Sequence, residues 1–132
     1  KGEILKTDFL KGSPICHAPC MVRSEAFSRV KGYSVDKKFL RVEDYHLWFK
    51  MYAADYKAYM LPHPYYKMRD DINAYKRRKW SGRVNEFYVM STGFQMIGLP
   101  WYYQIYSIRP LLIGMLPKFV YNWLHKKRNV SK

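Results

Sequence analysis

Acidic residues are scarce in this sequence: ten Asp and Glu stand against 24 Lys and Arg, a formal net charge of +14. That balance points to anionic partners, and charge alone does not choose among nucleic acid, acidic lipid and a phosphorylated substrate. Cysteine is nearly absent. Cys16 and Cys20 are too few for a disulfide framework, and no signal-peptide pattern opens the chain, which favours a reducing, cytoplasmic setting. A clean run of about 18 apolar residues is also missing. The most apolar stretch, "WYYQIYSIRPLLIGMLPKFVYNWLHKKR", is interrupted by Arg109, Pro110, Pro117 and Lys118. A helix lying on a surface or packed on protein fits it better than one that spans a bilayer. No internal repeat, low-complexity segment, zinc-finger pattern, RNP sequence, GXXG loop or Gly-rich phosphate loop is found.

Aromatic residues are abundant, with 13 Tyr and 4 Trp in 132 residues. A chain of this length is one domain that buries roughly two-thirds of its unfolded surface. The opening "KGEILKTDFLKGSP" reads as a connection arriving from upstream, so a piece of a longer protein is expected. "ICHAPCMV", residues 15–22, suits a short strand, bulged or at an edge because of Pro19. Ser24 then serves as N-cap of a helix that Gly32 stops. Asp44, Leu47, Trp48 and Met51 fall at i, i+3, i+4 and i+7, one face of a helix reaching about Asp55. Pro62 and Pro64 split two short aromatic runs expected to be extended. A helix follows from about Ile72 to Ser91, and Gly98 and Pro100 break the chain before the apolar tail. The expected class is α+β: few short strands, helices and an extended helical tail.

Glu43 and Asp44 admit two readings. Acids in a first helical turn complement the helix dipole, yet Asp44 lies on the apolar stripe, where a carboxylate can act as a general base. Cys16, His17 and Cys20 lack a second ligand pair for zinc, and no metal site is assigned. The basic run Lys76, Arg77, Arg78 and Lys79 reads as a solvated face or a contact for phosphates; nucleic acid is not expected as a partner. Trp101, Tyr102, Tyr103, Tyr121 and Trp123, with Lys126, Lys127 and Arg128, suit either peripheral membrane contact or a helix docked on its own domain.

Taken in order, "HAPCMVRSEAF" and "VKGYSVDKKFLRVEDYHLWFKMYAADYKAYMLPHPYYKMR" resemble the C-terminal half of family 2 nucleotide-sugar glycosyltransferases of the GT-A fold. The matching residues are His17, Arg23, Phe27, Gly32, Tyr33, Glu43, Asp44, Leu47, Trp48, Leu61, Pro62 and Tyr66. The resemblance covers about residues 14–71. It implies an acceptor-side half over 1–71 and a helical extension over 72–132. Asp44 is implied to be the catalytic base of an inverting transfer to a glycan or lipid-linked acceptor in cell-surface polysaccharide synthesis. Glu43, His17 and Trp48 are implied to contact substrate. The family's Y-R-x-H becomes Tyr66, Lys67, Met68, Arg69, so Lys67 keeps a cation and Arg69 replaces a His, suited to phosphate and not to metal. No Asp-x-Asp occurs, so the divalent ion the resemblance implies, Mg or Mn, would be held outside this chain, as would the nucleotide sugar. An isolated acceptor half is expected to be inactive and, through open sheet edges, to form a homodimer. The whole enzyme is expected at the inner face of the membrane. The competing reading is a non-enzymatic basic module for anionic membrane or nucleic acid, in which Asp44 is dispensable.

Overall fold

The computed structural model describes residues 2–67 and 79–116. Four helices organise them: α1 (Ser24–Arg29), α2 (Glu43–Ala53), α3 (Trp80–Met96) and α4 (Arg109–Met115). Shorter 3-10 turns cover Lys6–Lys11, Lys37–Phe39 and Trp101–Ile108.

The stretch 43–53 contains neither Gly nor Pro, opens on two acids and carries Lys50 in its last turn, a charge order that suits the helix dipole. Its apolar residues are not confined to the expected stripe. Tyr45, His46, Leu47, Trp48, Phe49, Met51 and Tyr52 are all buried, because α2 is the central rod and is covered on several sides. α3 packs against α2, α4 and both the Lys37–Phe39 and Trp101–Ile108 turns. Phe9 bridges to α2 from the N-terminal side, 4.9 Å from the Phe49 ring centre, and Phe94 of α3 meets Phe49 at 6.0 Å. Each of these three rings is fully buried, a contribution of about 1.5–3 kcal/mol apiece.

Polar bonds fix the N-terminal segment on this rod. The hydroxyls of Tyr45 and Tyr52 donate to the carbonyls of Phe9 and Ile4, both at 2.7 Å. Lys6 Nζ donates to the Ile97 carbonyl at 2.9 Å, and the Arg109 guanidinium donates to the carbonyl of Lys11.

Helices α1, α2 and α3 end in the same way. Gly32 N–H bonds the Phe27 carbonyl, Tyr56 N–H that of Met51, and Leu99 N–H that of Phe94, at 3.0, 3.0 and 2.9 Å. A second, inner bond runs from Lys31, Asp55 and Gly98 to Ser28, Tyr52 and Gln95. These are Schellman closures, which need a left-handed residue at the position after the cap. Gly98 supplies it at φ 70°, but Lys31 and Asp55 adopt φ 57° and 62° without being glycine.

Several expectations about local structure change. No strand forms over residues 15–22, which are mostly exposed with an irregular backbone. Pro19 removes a donor there, and a strand without a partner has no ladder to join. Strand pairing among the described residues is one antiparallel bridge, Glu3 to Tyr59, flanked by Ile4 N–H to Ala58 O and Met60 N–H to Gly2 O, both 2.9 Å. Among the described residues, the open sheet edge through which a homodimer was expected is therefore confined to this bridge. The runs around Pro62 and Pro64 are exposed and irregular. α1 takes Arg23 as its N-cap, with no side-chain cap bond, and Ser24 is its first helical residue. α3 runs to Met96, five residues past the expected end at Ser91. Residues 72–78, where that helix was expected to begin, and the tail beyond 116 lie outside the described residues.

Candidate functional site

The start of α2 and the loops on either side of α1 enclose an open cleft of about 450 Å³, lined by His17, Cys20, Val22, Ser24, Phe27, Ser28, Tyr33, Leu47 and Trp48. None of these side chains carries a full charge, apart from any proton on His17. The walls are aromatic and the rim offers hydroxyls. Tyr33 is held edge-on to Phe27, their centres 5.4 Å apart. Its hydroxyl lies 3.3 Å from His17 Nε2, and the His17 ring is 6.0 Å from Trp48. Gly32 places Tyr33 here: at φ 55° its bare Cα packs on the Phe27 ring, which an added Cβ would meet at 3.0 Å.

Trp48 is 97% buried by complement of its 3% exposure, and its indole N–H has no hydrogen-bond partner. Glu43 is half-buried, and one of its carboxylate oxygens is buried and equally without a partner. Native proteins leave few such groups, because each costs about 1–3 kcal/mol. Asp44 is half-buried and accepts the N–H of Tyr45 through Oδ1 at 2.8 Å, so it does satisfy a free donor of the first turn. Its charge also reaches the cleft. Burial pushes the Cys20 thiol and Tyr33 hydroxyl up, and the negative field of Asp44 pushes both further in the same direction. Asp44 is thus a helix-start acid whose charge is felt at the Tyr33 hydroxyl of the cleft.

Of the residues singled out in the sequence, His17 and Trp48 come together in the cleft; Asp44 and Glu43 do not line it, though the charge of both acts on the Tyr33 hydroxyl. Lys67 is exposed in the irregular segment after Pro64 and does not line the cleft. Arg69, together with Lys76, Arg77 and Arg78 of the basic run, lies outside the described residues. Ser24, Ser28 and Cys20 were missed as lining residues; their proximity depends on the turn at residues 17–20, which has no periodic signal. Among the described residues no three His, Cys, Asp or Glu side chains gather in a way that fits a metal ion. These residues do not suit the divalent ion implied by the resemblance, and no chemical step is assigned to it here.

A second polar cluster sits on the same helix. His46 Nδ1 and Ser34 Oγ are 2.7 Å apart, and the imidazole stacks on Phe39 at 3.8 Å. Burial lowers its pKa to about 4, with the Lys50 ammonium acting in the same direction and Asp36 against it. Lys50 in turn donates to the Gly32 carbonyl. The loop that carries Tyr33 into the cleft is thereby tied to α2 at two points.

With this geometry in place, comparison with known proteins is informative. Over 122 residues, 92% of its length, the chain is 33% identical to the "Putative glycosyltransferase EpsE" of Bacillus subtilis (strain 168). The chain is similar to a protein named for glycosyl transfer. It spans 44% of that relative's length. No family model matches the chain, and no solved structure matches it.

Proposed function

We propose that this chain is the acceptor-side portion of an inverting, family 2, GT-A-type glycosyltransferase that acts at the inner face of a membrane and builds cell-surface polysaccharide on a glycan or lipid-linked acceptor. The observation that carries the reading is an uncharged aromatic cleft walled by His17, Tyr33 and Trp48, at whose Tyr33 hydroxyl the charge of Asp44 is felt. A neutral sugar ring suits such walls, whereas a diphosphate would seek cations. The similarity to a protein named as a glycosyltransferase supports the same direction.

In this mechanism the Asp44 carboxylate takes the proton of an acceptor hydroxyl. The freed oxygen forms a bond to the anomeric carbon, and the bond from that carbon to the nucleoside diphosphate breaks, its electron pair leaving with the diphosphate. One displacement inverts the configuration. Glu43, one oxygen buried without a partner, holds the acceptor, and Trp48 and His17 shape its seat.

The test is sugar-nucleotide turnover by a protein in which this chain is joined to an upstream nucleotide-binding half. Asp44→Asn should lower turnover on the order of a hundredfold or more while donor binding persists. Equal turnover by wild type and variant would reduce Asp44 to a helix-start acid.

A further inference from the structure

Side chains three apart eclipse in a 3-10 helix, so the Trp101–Ile108 segment presents three rows. One row holds Trp101, Gln104 and Ser107: Trp101, at the open end, is 83% exposed, Gln104 is half-buried with its amide nitrogen donating to Ser91 O at 3.3 Å, and Ser107 is 2% exposed with its hydroxyl on the Gln104 carbonyl. The next row is Tyr102, Ile105 and Ile108, exposed by 54%, 69% and 42%. Four and seven residues beyond Ile108, at α-helical spacing, Leu112 and Met115 continue it at 59% and 69%.

The polarity of this segment is inverted. The Gln104 amide nitrogen and the Ser107 hydroxyl turn inward and are bonded, the Gln104 amide oxygen is buried without a partner, and a contiguous apolar row faces out. Single exposed apolar residues are ordinary, but a continuous row marks an interaction surface.

We propose that the row Tyr102, Ile105, Ile108, Leu112 and Met115, with the exposed Trp101 of the adjacent row beside it, lies in the interface of an anionic lipid bilayer. Three features favour lipid as the occupant. Trp101 and Tyr102 are residue types that settle at a membrane–water boundary. The row itself carries no charge that would specify a protein partner, whereas Arg109 adjoins it and binds the backbone of Lys11, bringing two cations alongside, in a chain of net charge +14. Among the described residues no helix is long and apolar enough to cross a membrane, so the segment would lie in the plane of the surface. The proposal extends the membrane-side placement given above and does not require glycosyl transfer.

Flotation of the 132-residue chain with vesicles tests it, in an assay that contains no sugar nucleotide. Vesicles of phosphatidylcholine with phosphatidylglycerol should carry the protein, and phosphatidylcholine alone should carry less. Ile105→Ser with Leu112→Ser should weaken partitioning by about tenfold or more, since two large apolar groups leave the interface. Both side chains are exposed, so the circular-dichroism spectrum should not change. No flotation of the wild type, or undiminished flotation of the variant, overturns the proposal. A wild-type dimer in light scattering that the double variant dissolves would also overturn it, since a second copy would then cover the row.

Discussion

Gly93 of α3 lies directly against the ring of Phe49 in α2: a Cβ built on Gly93 would come within 2.2 Å of Phe49 Cδ2. The ring is fully buried between Phe9 and Phe94 and has no room to withdraw. Gly93→Ala should therefore destabilise the protein by about 1–3 kcal/mol, more than the 0.5–1 kcal/mol that alanine gains in a helix. Gly82, in the first turn of the same helix, has nothing within 4 Å of its Cβ position. Gly82→Ala should stabilise by about 0.5 kcal/mol. Urea midpoints of the two variants, opposite in sign, check the crossing.

His46 makes stability depend on pH. Its folded pKa, about 4, is below the ordinary value of 6.5. The unfolded chain therefore binds the proton more readily between these values. The stability that neutral His46 provides is present above pH 6.5 and is lost as pH falls towards 4. His46→Leu should flatten this part of the profile relative to wild type. Urea midpoints measured at pH 7 and pH 4.5 give the difference, which other carboxylates shared by both proteins do not affect.

Glu43 and Asp44 should separate by assay. One oxygen of Glu43 is buried without a partner, a cost of about 1–3 kcal/mol, against roughly 0.3–1 kcal/mol gained from the helix dipole. Glu43→Met should thus leave the melting temperature unchanged or raise it by a few degrees, while raising the acceptor KM in the joined enzyme. Asp44→Asn should instead lower kcat, and should cost the isolated chain little stability because an amide oxygen still accepts the Tyr45 N–H. A fall in stability with Glu43→Met would mean that the carboxylate is structural.

The 132-residue chain alone should not turn over any sugar nucleotide, because it has neither an Asp-x-Asp pair nor a Gly-rich phosphate loop. Release of nucleoside diphosphate from a donor panel by the purified chain is the measurement. Any turnover that Asp44→Asn abolishes would place donor binding within these residues.

What the sequence made legible followed from periodicity and from residues with one strong conformational preference. α2 began and ended within two residues of its expected limits, because Leu47, Trp48 and Met51 repeat at helical spacing and the acids mark the start. Gly98 ended α3 as glycine commonly does. The strand over 15–22 was misread: apolar composition implied pairing, but pairing needs a neighbour that composition does not reveal. The left-handed Lys31 and Asp55 were equally hidden, since neither residue type announces that conformation. At the site, His17, Trp48, Glu43 and Asp44 were named from the ordered motif; His17 and Trp48 line the cleft, and Glu43 and Asp44 do not. Ser24, Ser28 and Cys20 were not, because only the irregular turn before α1 brings them to the cleft.

The three packed phenylalanines carry a consequence for how the chain is made. Phe9, Phe49 and Phe94 come from widely separated parts of the sequence, and the core they close also needs Ile97. A nascent chain emerging from the ribosome has its first two rings available long before the third, so α2 has no completed packing surface until α3 has been synthesised. Most of the core should therefore form only after α3 has been synthesised, and more slowly than a helical bundle with only local contacts. Until then the aromatic faces of α2 would be exposed, a natural substrate for chaperones.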